Sequence, residues 1–186
     1  MLMKKLFKTL FVVLTSLALG VSILSTKAEA INEKNNDLII VNKAYNKMVF
    51  INDGFIEMVA PVGTGRTWDL TPVGHFKVVN MVKNRPYYKK NIPGDSPNNP
   101  LGARWIGFSV PGNWETETGN VFALHGTNQP ASIGGYVSSG CIRMYNNDII
   151  KLYDKVANGT PVTITYSYKS FQELAKMYGY SIKGFR

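Results

Sequence analysis

From residue 38 onward the chain is written in short apolar runs separated by clusters of Asn, Gly and Pro. "LIIV" (38–41) and "KMVFI" (47–51) flank "NKAYN" and read as two strands. "NDG" at 52–54, between "KMVFI" and "FIEMVA" (55–60), signals a tight hairpin. "GHFKVVNMV" (74–82) alternates well enough for a longer strand. "RWIGFSV" (104–110), "NVFAL" (120–124) and "PVTITYSY" (161–168) read as further strands. Between 83 and 102 stand Pro86, Pro93, Pro97 and Pro100 among several Asn, which predicts a long loop of the kind that often carries function.

The period changes twice. Over 148–156, Ile149, Leu152, Tyr153 and Val156 recur at helical spacing, and Gly159 follows as a stop. Ser170 and Glu173 form a capping box ahead of "FQELAKMYG". Many short strands and one or two short helices predict a mostly-β domain, a sandwich or a partly open barrel.

The first 30 residues follow a different pattern. Lys4, Lys5 and Lys8 give a positive start, 10–24 is apolar apart from Thr15, Ser16, Gly20 and Ser22, and Ala28-Glu29-Ala30 is an A-x-A cleavage signal. The expectation is a signal peptide over 1–30, a polar lead-in over 31–37, a catalytic domain over 38–166 and a C-terminal helical extension over 167–186. A retained anchor is the alternative, but the apolar run falls short of the ~20 residues a span needs. No cysteine lies near the cut, which excludes a lipoprotein anchor.

Of the 21 basic and 12 acidic residues, the leader takes Lys4, Lys5, Lys8, Lys27 and Glu29. The remaining 156 residues carry 17 basic and 11 acidic side chains, a net charge of +6. The lysines are scattered. A dense basic stripe would suggest nucleic acid, whereas scatter suits general attraction to an anionic surface, which outside a bacterium is wall polymer. Nucleic acid is therefore not expected as a partner, nor is a membrane span after cleavage.

The chain has one cysteine, Cys141, in "VSSGCIRM" (137–144). Exported proteins usually pair their cysteines or avoid them, and a lone one forms no internal disulfide. The bland reading is a small core residue, but "SSG" is poor core-strand material. Gly140 permits an unusual bend, and successive amides at such a bend can point at one anion. The backbone N–H groups of Gly140 and Cys141 are thus candidate oxyanion donors. His125 ends "NVFAL" sixteen residues earlier, and Arg143 is a nearby cation. Together they suit acyl transfer: Cys141 attacks a carbonyl, His125 carries the proton, and amides hold the developing charge. The histidine precedes the cysteine, unlike the papain-like order.

Other features count for less. His75, within "TPVGHFKV", reads as structural. Two histidines and one cysteine make no metal site, and no cofactor is expected. Trp68, Trp105 and Trp114 read as core or loop packing, "NWETETGN" with Glu115 and Glu117 as a solvated loop, and neither Ser138 nor Ser139 sits in a GxSxG elbow.

"HGTNQPASIGGYVSSGCIRMYNNDIIKLYDKV" followed by "GTPVTI" resembles the catalytic core of the L,D-transpeptidases of bacterial walls, and "TPVGHFKV" and "PLGARWIGF" match further segments. The resemblance covers about 38–165. It implies an L,D-transpeptidase-like β-sandwich with the cysteine at the base of a groove. It implies Cys141 as nucleophile, His125 as base, the Gly126 carbonyl as the group orienting His125, and Arg143 as shaping the site or meeting a substrate carboxylate. The family usually carries histidine where this chain has Ser139. If that histidine acts through its backbone amide, serine loses little, and the resemblance then adds the Ser139 N–H to those of Gly140 and Cys141 as an oxyanion donor. The implied activity is a secreted, wall-located enzyme that acts on peptidoglycan stem peptides. It releases the terminal D-alanine of a tetrapeptide and joins the third residues of two stems. An L,D-carboxypeptidase using the same groups and a non-catalytic wall-binding module are the alternatives.

Overall fold

The structure is a computed structural model that describes residues 36–186, so the expected signal peptide and most of the lead-in lie outside the described residues. Those 151 residues make one unit. Its eleven strands are β1 (Leu38–Asn42), β2 (Lys47–Asn52), β3 (Phe55–Pro61), β4 (Thr64–Gly65), β5 (Gly74–Lys83), β6 (Arg104–Phe108), β7 (Ala123–His125), β8 (Tyr136–Ser138), β9 (Ile142–Arg143), β10 (Pro161–Thr165) and β11 (Gly184–Phe185). The α-helices are α1 (Trp114–Glu117), α2 (Asn146–Tyr153) and α3 (Phe171–Met177).

Nine strands form one sheet in the order β11-β3-β2-β1-β10-β5-β6-β7-β9, and β4 pairs with β8 apart from it. The long strand β5 makes the corner. Its first half, from Gly74 to Lys77, pairs with β10, and from Val78 onward it pairs with β6, with a register irregularity between Val78 and Asn80. A strand that changes partner at a bulge folds a sheet onto itself. The folded halves enclose one core, in which Ile39, Val41, Met48, Phe50, Val162 and Ile164 meet Ile106, Phe108, Leu124 and Ile142.

Every residue of β1 is buried because both of its faces are covered. The outer face, with Leu38, Ile40, Val49 and Ile51, is closed by Leu174 and Ala175 of α3. That helix starts at the predicted capping box: Ser170 Oγ accepts the Glu173 N–H at 3.2 Å, and Glu173 Oε2 accepts the Ser170 N–H at 2.8 Å. The β2–β3 turn is also as predicted, with Asp53 at φ 48° and Gly54 at φ 82°, both left-handed as the favoured hairpin turn requires.

The sequence reading differs from the structure in several places, among them strands β6 and β10, which end at Phe108 and Thr165 rather than 110 and 168. The strand expected at 120–124 runs from Ala123 to His125, so its start belongs to a loop. Helix α2 begins at Asn146, two residues before the predicted start. The segment read as a solvated loop holds the exposed single turn α1, capped reciprocally by Asn113 and Thr116. Trp105 is buried, but Trp68 and Trp114 stand exposed rather than packed.

Candidate active site

Two short parallel strands assemble the chemistry. In β7 and β9, Leu124 lies beside Ile142 and His125 beside Arg143. Leu124 and Ile142 are buried in the core. Side chains alternate across a strand, so His125 and Arg143 share the opposite face. Cys141 immediately precedes β9 and by the same alternation belongs to that face. Residues far apart in sequence thus meet because two core residues fix the register.

His125 is 4% exposed. Its Nδ1 lies 2.5 Å from the Gly126 carbonyl oxygen. A carbonyl only accepts, so Nδ1 carries the hydrogen and Nε2 keeps its lone pair. The ring stacks on Trp105, with centroids 5.6 Å apart and planes 13° apart, and Trp105 Nε1 is pinned to Gly119 O at 2.9 Å. Burial depresses the pKa of His125 to about 4; the Gly126 and Leu101 carbonyls oppose this, and Arg143 and Arg85 add to it.

The Cys141 thiol donates to Val121 O at 3.2 Å. Burial pushes its pKa up to about 11, against the Ala123 N–H and the cations Arg85, Arg143 and Lys89, which favour the thiolate. At neutral pH the resting pair is therefore a neutral thiol and a neutral imidazole. Such a pair generates its nucleophile by transferring a proton as the bond forms.

The loop before Cys141 is clamped from three sides. Gly140 has φ +132°, and a Cβ there would stand 2.7 Å from Leu70 O. Thr71 Oγ1 donates to Gly140 O at 2.9 Å and accepts the Gly65 N–H at 2.8 Å. Ser138 Oγ donates to Cys141 O at 2.6 Å and accepts the Gly140 N–H at 3.1 Å. The three expected oxyanion donors are thereby divided. The Gly140 amide is spent on Ser138, whereas those of Ser139 and Cys141 have no acceptor among the described residues. The Ser139 side chain is exposed and makes no hydrogen bond among the described residues. Arg143 Nη1 contacts Gln129 Oε1 at 3.1 Å.

Sequence reasoning missed several supporting residues. Lys43 is only 2% exposed, and its ammonium donates to Trp68 O at 2.5 Å and Thr71 O at 2.7 Å, holding the segment that carries Thr71. Arg85 lies over the Trp105 ring, 4.2 Å from its centroid. It belongs to the proline-rich loop that the sequence marked as functional, which was the one available signal. His75 stands apart, bonded to Thr163 Oγ1 at 3.0 Å and edge-on to Tyr178. Among the described residues no group of three or more His, Cys, Asp or Glu is placed to hold a metal ion, and no helix is long and apolar enough to cross a membrane.

Residues 36–164 match the sequence profile of the L,D-transpeptidase catalytic domain. The chain is 47% identical over 137 residues to the Bacillus subtilis protein YqjB, assigned by name to the L,D-transpeptidases, covering 74% of this chain and 76% of that one. It is 39% identical over 104 residues to Bacillus subtilis YkuD, named likewise, covering 56% of this chain and about half of that one, 51%. Among solved structures, L,D-transpeptidase 3 of Mycobacterium tuberculosis superposes with a TM-score of 0.54 at 19% identity, over 70% of this chain and 60% of that one. A mutant of the Enterococcus faecium L,D-transpeptidase superposes at 0.53 and 22% identity, over 69% and 49%. At such identities the superpositions speak for the fold, a mostly-β one like that described above.

Proposed function

The chain belongs to the family of L,D-transpeptidase catalytic domains, and from that premise we propose that it is a secreted enzyme which cross-links or remodels peptidoglycan by acyl transfer through Cys141. The observation that supports the reading is the register that sets His125 beside Arg143, two residues after Cys141, with the His125 Nδ1 hydrogen committed to Gly126 O, which makes Nε2 the ring nitrogen with the lone pair.

The donor is a tetrapeptide stem. Its scissile bond joins the L-centre of the third residue to the terminal D-alanine. Cys141 Sγ bonds to the carbonyl carbon while its proton passes to His125 Nε2. The carbonyl oxygen becomes an oxyanion, for which the N–H groups of Ser139 and Cys141 are the available donors. As the intermediate collapses, the C–N bond breaks, the His125 proton goes to the departing nitrogen, and D-alanine leaves from a thioester. The amine of a second stem then attacks, losing its proton to His125. The C–S bond breaks, the new amide links two third residues, and the proton returns to sulfur. Water in place of the amine would make the same site a carboxypeptidase. The net positive charge beyond the leader suits work beside anionic wall polymers.

The test is mass spectrometry of the purified protein with a disaccharide-tetrapeptide. The expected result is one equivalent of free D-alanine per acyl-enzyme on Cys141, and a cross-linked dimer when acceptor stem is added. Cys141→Ser should form no adduct. D-alanine release without dimer at saturating acceptor would reassign the protein as a carboxypeptidase, and neither product would overturn the reading.

A further inference from the structure

Three consecutive carbonyls, those of Gly119, Asn120 and Val121, line one side of the site, and each takes a different donor. Gly119 O accepts the Trp105 indole N–H at 2.9 Å, Asn120 O accepts Arg85 Nη2 at 3.4 Å, and Val121 O accepts the Cys141 thiol at 3.2 Å. The guanidinium of Arg85 and the Cys141 thiol are thus held by neighbouring carbonyls, and Arg85 is among the cations that favour the Cys141 thiolate. It rests on the same indole that stacks on His125. Its backbone is fixed too, because Arg85 O accepts from Asn99 Nδ2 at 2.8 Å.

The other end of this guanidinium is uncommitted. Arg85 Nη1 is buried and has no hydrogen-bond partner among the described residues. Burial lowers its pKa, and the groups that oppose this, Tyr88 and Cys141, include no carboxylate. A desolvated cation without a counter-charge costs free energy, which an arriving anion would recover. Arg143 differs, since its Nη1 is already engaged with Gln129.

We propose that Arg85 is the substrate-binding residue that recognises the free C-terminal carboxylate of the residue to be released, so that the site takes a stem whose next residue is its last. The inference rests on the acyl-transfer reading above. In such a donor the terminal carboxylate lies one residue beyond the attacked carbonyl, about 4 Å along the chain. The thiol and the guanidinium are held by carbonyls of adjacent residues, Val121 and Asn120. The planar fork of arginine suits a carboxylate in two-point contact. A longer stem or an amidated terminus would leave the guanidinium unpaired, and a site with an unpaired buried donor discriminates strongly.

The experiment measures single-turnover acylation of Cys141 by a tetrapeptide stem and by the same stem ending in a carboxamide. Wild type should prefer the acid by at least about tenfold, the scale of one charge-assisted hydrogen bond. Arg85→Gln should lose about tenfold or more on the acid and less than about threefold on the amide, erasing the preference. Arg85→Lys, which keeps the charge without the fork, should recover part of it, with thermal unfolding checking that each variant is folded. Equal losses on both substrates, or a preference that survives in Arg85→Gln, would overturn the assignment while leaving the acyl-transfer reading intact. A wild type that acylates with neither substrate would overturn both.

Discussion

The hydroxyl of Ser138 brackets Cys141: it donates to the Cys141 carbonyl at 2.6 Å and accepts the Gly140 N–H at 3.1 Å. One buried side chain thus closes the turn that presents the thiol. Its exposed neighbour, Ser139, contributes only backbone. The two serines should therefore respond differently. Ser139→Ala should change single-turnover acylation by less than about tenfold, under ~1.4 kcal/mol of barrier. Ser138→Ala leaves two buried backbone groups without a partner, each worth about 1–3 kcal/mol. It should lower stability by that order and slow acylation more than Ser139→Ala does. Equal effects from the two would remove Ser138 from this role.

A second prediction follows from protonation. His125 titrates near 4 where an unfolded histidine titrates near 6.5. Below 6.5 the unfolded chain takes up a proton that the folded chain refuses. The contribution of His125 to stability is thus full above pH 6.5 and is lost as pH falls towards 4, at about 1.4 kcal/mol per pH unit. Cys141 works in the other direction, because its thiol, raised from 9.0 to about 11, stabilises the fold below 9 and loses that contribution as pH rises to 11. Acylation should accordingly persist down to about pH 5, because the base stays unprotonated. A stopped-flow pH profile with its acid limb at 6.5 or above would show that the imidazole is not held neutral. Urea midpoints from pH 4 to 7 should show a steeper acid loss in wild type than in His125→Ala.

Lys43 offers a third test. Its buried ammonium satisfies the carbonyls of Trp68 and Thr71, and Thr71 in turn holds Gly140. Lys43→Met keeps most of the bulk and removes the donor. Losing charge-assisted hydrogen bonds of this kind should cost about 2–3 kcal/mol in the denaturant midpoint. Acylation should fall as well, in kcat more than in KM, since the damage reaches the turn rather than substrate contacts. A stable variant with unchanged acylation would separate Lys43 from the site.

The strands that alternation or continuous apolar character made legible are those whose own side chains build the core, such as β1, β2 and β10. The capping box of α3 and the Asp53-Gly54 turn were legible because their chemistry is local. The strands β4, β8, β9 and β11 were not, since each is two or three residues long and exists through tertiary pairing. The site divides in the same way. Cys141 and His125 stood out by residue type and motif, and Gly126 came only through the family resemblance. Ser138, Thr71, Lys43 and Arg85 act through burial and long-range contacts, for which a single sequence carries no period or spacing. The pattern of "SSG" argued against a core cysteine, yet it did not reveal that the first serine is buried and the second exposed.

The last prediction concerns Gly140, where backbone and site are the same atoms. Its φ of +132° lies in a region that side chains rarely adopt, and a Cβ there would meet Leu70 O at 2.7 Å and Phe122 at 3.0 Å. Neither neighbour yields freely: Leu70 O is backbone in the segment that Lys43 holds, and the Phe122 ring packs near Phe108. Gly140→Ala must therefore either accept strain of about 1–3 kcal/mol or rotate the peptide. Rotation would break the bond from Gly140 N to Ser138 Oγ and turn the Cys141 amide away from the oxyanion position. Losing one such donor typically slows acyl transfer about a hundredfold or more. The expected outcome is a folded protein, destabilised by that order, whose Cys141 still reacts with a small alkylating reagent but is acylated by the stem at least about a hundredfold more slowly. Acylation within about threefold of wild type would mean that the amide at Cys141 does not stabilise the developing charge.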